Sequence, residues 1–179
     1  MQRSPSLMHR QLGLTLVECT VTLAVTSVVA GIAAPNFQQL RERKAVESVA
    51  ASIETDFAYT RSLAVAQNRT LRVNFADARC YVVHTGPATN CSCHADGSAS
   101  CSGNPDVLKV VQLAAATPVT LSSNSKSIAF DAMKGTVTPT ATVKIAGAGG
   151  GATLHNVVNI MGRMRSCAPA PGLPGHARC

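Results

Sequence analysis

From Leu14 to Ala34 the chain carries a single charged residue, Glu18, among Val, Ala, Leu, Ile, Thr, Ser, Cys and Gly. A helix needs about 20 mainly apolar residues to cross a bilayer core, and this run has that length. A membrane-ready helix therefore stands near one end, and any folded domain has to lie after it. A carboxylate in such a span is costly, roughly 2.5–3.5 kcal/mol at the bilayer centre on insertion scales. Glu18 is thus expected to meet a positive partner. A free α-amino group on a neighbouring helix supplies one at that depth if the chain is cut between Gly13 and Leu14. Arg3 and Arg10 precede the span and no acid does, which keeps residues 1–13 on the cytoplasmic side. A secretory signal would have a shorter apolar core ending at small residues. Ala30–Ala34 imitates such an end, but an acid inside the apolar core argues against it. A plain anchor would leave the Gly13/Glu18 spacing unexplained.

A short basic leader ending in Gly13, then Leu14-Thr15-Leu16-Val17-Glu18, then an apolar helix with Pro35 shortly after it, resembles the type IV prepilin signature. The resemblance implies cleavage after Gly13, N-methylation of Leu14, and Glu18 as the fifth mature residue, neutralising the Leu14 amino group of an adjacent subunit. Leu14 departs mildly from the usual Phe. A prepilin peptidase and a methyltransferase are then expected to act on the chain. Other pilins are expected partners through the N-terminal helix. The implied location is the inner membrane, single-pass with the C-terminal domain periplasmic, and afterwards a pilus outside the cell.

Four segments follow: residues 1–13 as leader, 14–34 as transmembrane and filament-core helix, 35–66 as its amphipathic continuation, and 67–179 as an exported β domain. In the third, Val46, Val49, Ala50, Ile53, Phe57 and Ala64 recur near helical spacing, with charged residues between them. That face is expected to pack on the protein's own sheet. Pro35 kinks rather than stops the helix, and Asn68 and Arg69 end it. From Thr70 the texture turns to short β-branched runs separated by turn residues. Predicted strands are Leu71–Phe75, Cys80–His84, Val107–Leu113, Val119–Ser122, Ser127–Phe130, Thr136–Thr138, Thr142–Ala146 and Leu154–Ile160, with a glycine-rich hairpin or loop at 147–151. One long helix packed on a small antiparallel β domain is an α+β architecture. Pilins of the GspH/FimT group share it, and Ile128-Ala129-Phe130-Asp131 with Gly135 resembles their strand-turn segment.

Beyond Cys19, which lies in the apolar helix, six cysteines remain. An even number in a small exported domain suggests disulfides. Cys167 and Cys179 bracket a tail rich in Pro and Gly, and a bridge between them is expected to staple it. Cys80, Cys91, Cys93 and Cys101 allow three pairings among themselves, of which Cys80–Cys91 with Cys93–Cys101 is preferred here. Cys91, Cys93, His94 and Cys101 include zinc-ligand types. Their spacing is not a familiar zinc pattern, however, and no metal site is expected.

Charge separates this chain from a generic pilin. Its formal net charge is +7, or +5 without the two leader arginines. Residues 67–179 carry ten basic and four acidic residues, about +6, whereas residues 14–66 carry four and five. A domain of that sign attracts polyanions. In the extended segment Gly162-Arg163-Met164-Arg165, residues two apart point to one side. Arg163 and Arg165 then present two guanidinium forks together, each able to bind phosphate bidentately, and Gly162 permits close backbone approach. This stretch resembles the C-terminal motif of FimT-like minor pilins, which bind DNA during natural transformation. The implied partner is double-stranded DNA, held by Gly162, Arg163 and Arg165 with Lys134, Lys144 and Arg178 as further candidates. There is no Trp, and Phe75, Tyr81 and Phe130 are expected in the core. Binding should therefore be to phosphates, sequence-independent and salt-sensitive, rather than by base stacking.

No enzyme is expected. His84, His94, His155 and His176 are scattered, no acid pairs with them in a hydrolase pattern, and the glycines at 147–151 lack the strand-to-helix context of a nucleotide site. No catalytic residue or cofactor is assigned. The other reading is structural: a minor pilin that primes pilus assembly, or a GspH-type pseudopilin of a type II secretion system.

Overall fold

The computed structural model describes residues 15–87 and 91–179, so the expected cleavage residues Gly13 and Leu14 lie outside the described residues. The chain divides into two units between Gln38 and Gln39. The first holds the start of helix α1 (Leu16–Ala66), which continues through Pro35. Thr15 caps it: its Oγ1 accepts the Glu18 N–H at 3.2 Å, and Thr-x-x-Glu is the pattern of a capping box. Glu18 sits in the first turn, where the helix dipole favours an acid. The apolar side chains here are uncovered, with Leu16 80 % and Leu23 70 % exposed. No single helix among the described residues is long and apolar enough to cross a membrane. Leu16–Ile32 and Asn36–Ala66 meet that condition only together.

The second unit, Gln39–Cys179, contains every buried residue among those described. On its part of α1, Val46, Ala50, Ile53, Phe57 and Ala64 are buried and Val49 partly so, the face that helical spacing predicts. The helix closes in a Schellman motif. Asn68 takes the left-handed conformation at φ 49°, its N–H donates to Val65 O, and the Arg69 N–H donates to Ala64 O.

Two antiparallel sheets complete the core. The first has the order β5 (Val107–Gln112), β2 (Cys80–Thr85), β1 (Leu71–Asp77), β7 (Ser127–Phe130), β8 (Val137–Thr138). The second runs β11 (Met164–Cys167), β10 (Thr153–Val158), β9 (Ala141–Gly147), β6 (Val119–Ser123). Alternation decides which face is buried: Leu71, Val73, Tyr81 and Val83 from the first sheet join Val143, Ile145, Leu154 and Val158 from the second in one cluster with α1. Phe57 meets Phe130 edge-on at 5.6 Å. The sheets are stitched where the Val137 N–H donates to Ile160 O at 2.9 Å. The β9–β10 hairpin lies so close to α1 that a Cβ on Gly147 would overlap the Glu42 carboxylate.

The predicted strand 154–160 stops at Val158, because Asn159 opens a turn in which the Gly162 N–H donates to Asn159 O. Two strands absent from the prediction, β3 (Cys91–Cys93) and β4 (Ala99–Cys101), form a small hairpin. Its register corrects the expected pairing of Cys80–Cys91 and Cys93–Cys101. Cys91 stands directly opposite Cys101, with Cα atoms 4.0 Å apart, and bonds to it. Cys93 faces Ala99 in the hairpin and bonds instead to Cys80 on β2. Cys167 bonds to Cys179. The tail is held further by the Ala168 N–H donating to Ala177 O, by Leu173 entering the core, and by the Arg43 guanidinium donating to Pro174 O.

One buried polar cluster seats α1 on the first sheet. The Asp56 carboxylate accepts from the Tyr81 hydroxyl at 2.7 Å and from Lys109 Nζ at 2.6 Å. Burial, reinforced by the hydrogen bond to Asp56, pushes the Tyr81 phenol far above its ordinary range. An unfolded tyrosine titrates near pH ~10. The folded chain resists losing this proton, so the stabilisation is present in full below pH ~10 and is lost as pH rises further. Urea melts are expected to show stability falling above pH ~10, and Tyr81→Phe should flatten that fall. An equally steep fall in the variant would assign it to other groups.

Candidate nucleic-acid interface

Arg165 lies in β11, the edge strand of the second sheet, and Arg163 immediately precedes that strand. The turn before them is fixed locally. Asn159 Oδ1 accepts the Arg163 N–H at 3.0 Å, and the Asn159 N–H donates to Arg163 O. Met164 between them turns inward against the core, so both arginines point outward and are exposed. The strand is anchored from within by Asn156, whose Nδ2 donates to Ala50 O on α1 at 2.8 Å while its Oδ1 accepts from Ser166 Oγ.

Gly162 plays a different part from the one expected. It is buried, and the close approach its missing side chain permits is to the protein's own backbone. At φ +72°, an added Cβ would lie 2.7 Å from Gly135 O and 2.8 Å from Arg61 Cδ. Arg61 Nε donates to that same Gly135 O at 3.0 Å. Gly162 thus sets the turn that presents Arg163. Left-handed φ costs an L-residue roughly 1–2 kcal/mol, and the overlap with Gly135 O adds to it. Gly162→Ala is therefore expected to lower unfolding stability in urea by about 2 kcal/mol. A change under about 0.5 kcal/mol would mean that the turn relaxes freely.

The remaining candidates fall on two sides of Arg163. Lys144 on β9 belongs to the outer face of the second sheet, which also carries Arg165. Cross-strand pairing runs Lys144–His155–Cys167 in one row and Thr142–Val157–Arg165 in the next but one. Two strand spacings and two residues of rise put Lys144 and Arg165 about 12 Å apart at Cα. Lys134 lies in the β7–β8 loop, whose backbone N–H at Lys134 is bound by Asp131 Oδ1 at 2.8 Å. It lines a groove of about 690 Å³ together with Gly162, Arg163, Met133, Val65 and Glu54. Arg178 bridges to Ala168, three residues beyond Arg165. The structure brings Lys134 to Arg163 and Lys144 to the face of Arg165, and it places Arg178 further along that edge.

What these side chains lack is as informative as their positions. Several other cations are committed: Arg69 to Asp106, Lys109 to Asp56, Arg79 to the carbonyls of Ala114 and Thr117, Arg72 to Ser127. Lys134, Lys144, Arg163, Arg165 and Arg178 make no side-chain hydrogen bond or ion pair among the described residues. Arg41 on α1 and Lys126 are likewise uncommitted among the described residues, and Lys126 lies at the opposite end of β7 from Lys134. The two sheets offer no exposed aromatic for stacking, since Phe130 and Tyr81 are buried and Phe75 packs against the core; the exposed aromatics among the described residues, Phe37 and Tyr59, are on α1.

The family model of type II transport protein GspH matches residues 49–162, more than half of the chain and all of the helix–sheet core from Ala50 to Val158. The chain belongs to the GspH family. A second model, the prokaryotic N-terminal methylation motif, matches residues 8–34. No curated protein matches the chain. Among solved structures, this GspH-family protein is similar to the type IV minor pilin FimU of Pseudomonas aeruginosa strain PAO1, at 19% identity and TM-score 0.51 over 73% of this chain and 98% of that one. It is also similar to the minor pseudopilin EpsH from the type 2 secretion system of Vibrio cholerae, at 15% identity and TM-score 0.50 over 70% and 98%. At these identities the likeness is one of fold. The family and its neighbours are pilins and pseudopilins, structural proteins rather than enzymes. The methylation motif implies processing by a prepilin peptidase, membrane anchoring and association with other pilins.

Proposed function

We propose that this GspH-family chain is a minor type IV pilin that binds double-stranded DNA without sequence preference, for uptake in natural transformation. The observation that carries the reading is the pair of uncommitted, outward-pointing guanidinium groups at Arg163 and Arg165 on an exposed sheet edge. Filament assembly alone does not require them. Lys144 extends the same face, Lys134 flanks Arg163 across the groove, and Arg178 continues the edge. Two forks two residues apart suit a phosphate backbone, and a cationic surface of this kind reads charge rather than base edges. Affinity is expected at about 10⁻⁴–10⁻⁶ M near physiological salt, falling steeply as salt rises.

Cleavage after Gly13, methylation at Leu14, and Glu18 neutralising the Leu14 amine of an adjacent subunit would place the domain on the periplasmic side and then in a filament. The segments 1–13, 14–34, 35–66 and 67–179 follow this path from leader to exported domain. A second reading is favoured by the GspH model itself: a structural pseudopilin of a type II secretion system, or a pilin that primes assembly. Titration of labelled duplex with the Gln39–Cys179 unit at two salt concentrations separates the two. Salt-sensitive binding supports the DNA reading, and no binding at low salt leaves the structural one.

A further inference from the structure

The face of the first sheet turned away from α1 carries a buried histidine with an unused nitrogen. His84 on β2 is fully buried. Its Nδ1 lies 2.8 Å from Thr85 O, and since a carbonyl can only accept, Nδ1 holds the proton and Nε2 is left with its lone pair. That Nε2 is shielded from solvent and has no hydrogen-bond partner among the described residues. The sulfurs of Cys91 and Cys101 and a ring nitrogen of His84 all lie within 4.8 Å of one another. His94, the histidine that the cysteine-rich segment itself supplies, is occupied elsewhere, with Nε2 at 3.1 Å from Ser100 Oγ.

We infer that His84, Cys91 and Cys101 form a redox-gated zinc site. While Cys91 and Cys101 are joined, the disulfide occupies the position and His84 Nε2 goes unused. A dithiol reductant opens it: the S–S bond gains two electrons and two protons, the reductant becomes its own disulfide, and two thiols face the imidazole. Zn²⁺ then displaces both thiol protons and takes Cys91 Sγ, Cys101 Sγ and His84 Nε2, with a water as fourth ligand. Zn–S of about 2.3 Å and Zn–N of about 2.0–2.1 Å put tetrahedral ligands roughly 3.5 Å apart, within the present spread of the three atoms. The backbone suits both states, because Cys91 and Cys101 are directly opposed cross-strand neighbours in the β3–β4 hairpin. The Thr85 carbonyl orients the imidazole, as outer-shell partners of metal-bound histidines do. Disulfide and zinc are alternative occupants of the same two sulfurs.

The test uses the full chain in detergent micelles, in a Cys19→Ser background, with Co²⁺ as the spectroscopic probe and Zn²⁺ as competitor. After treatment with an immobilised dithiol, one Co²⁺ per chain is expected, with sulfur-to-metal charge transfer and tetrahedral visible bands that Zn²⁺ abolishes. The oxidised chain should bind none. His84→Gln should weaken binding at least about tenfold, Cys91→Ser/Cys101→Ser should abolish it, and His94→Ala and Cys80→Ser/Cys93→Ser should retain it. Absence of Co²⁺ binding by the reduced chain overturns the proposal. So does undiminished binding by His84→Gln, or binding that depends on Cys80 and Cys93 instead. Should His84→Gln fail to fold, the ¹⁵N shift of His84 Nε2 in the reduced wild type decides: movement on adding Zn²⁺ supports ligation, and no movement excludes it.

Discussion

Replacing Arg163 and Arg165 together by alanine is expected to weaken duplex binding by the Gln39–Cys179 unit about ten- to a hundredfold at low salt. The estimate rests on two charge-assisted contacts, each contributing about 1 kcal/mol once solvent screening of exposed groups is allowed for. The salt dependence carries the sharper signature. Each phosphate contact contributes about −0.9 to the slope of log K against log salt, so removing two should flatten the slope by about 1.8. Arg165→Lys separates geometry from charge: it should keep the slope, yet lose affinity, because an ammonium cannot make the bidentate contact. Lys126→Ala is the control for diffuse charge. Lys126 is as uncommitted as the arginines but sits at the far end of β7 from Lys134. If Lys126→Ala cost as much as either arginine, binding would reside in overall charge rather than in the β11 edge, and the proposed interface would be wrong.

Why the interface was partly visible in the sequence, and partly not, comes down to range. The alternation of Arg163, Met164 and Arg165 is local, and so is the helical spacing that buries Val46, Ile53 and Phe57. The αL residue Asn68 ends α1 by chemistry contained within the six residues Ala64 to Arg69. Lys144 could not be assigned to the face of Arg165 in this way, because that depends on β9 and β11 flanking β10 in register. The role of Gly162 was misread for the same reason: its neighbour, Gly135 O, lies on another loop. The β3–β4 hairpin escaped because its strands are Cys-Ser-Cys and Ala-Ser-Cys, with no β-branched residue to mark them. Once that hairpin forms, its register decides the disulfides. Cys91 and Cys93 point to one side, only one of them can stand opposite Cys101, and the other reaches β2. The local Thr15–Glu18 cap was legible but stood behind a stronger motif, and it gives Glu18 a helix-starting role within its own chain.

Asp56→Ala is expected to lower the domain's unfolding stability by about 2–4 kcal/mol. Asp56 is 6 % exposed and faces the sheet from the middle of the packed side of α1. Its two oxygens are divided between Tyr81 and Lys109. The Lys109 side chain is 42 % exposed, so that contact is screened and contributes the smaller share. The greater part comes from Tyr81, whose hydroxyl would be left buried without an acceptor, at about 1–3 kcal/mol, on top of the lost charge-assisted bond. Asp56→Asn keeps an acceptor for Tyr81 and should cost markedly less. Asp56→Ala/Tyr81→Phe removes both partners and should recover part of the loss, a coupling that additive contributions cannot produce. Urea midpoints with an unchanged m-value would measure it. The same helix is held to the second sheet by Asn156 on Ala50 O and to the β7–β8 loop by Arg61 on Gly135 O. Loosening it at Asp56 should therefore reach the β10–β11 turn, and Asp56→Ala should weaken duplex binding although Asp56 touches no part of the proposed interface. Full retention of binding by a measurably destabilised Asp56→Ala would show that the β11 edge is positioned without the helix.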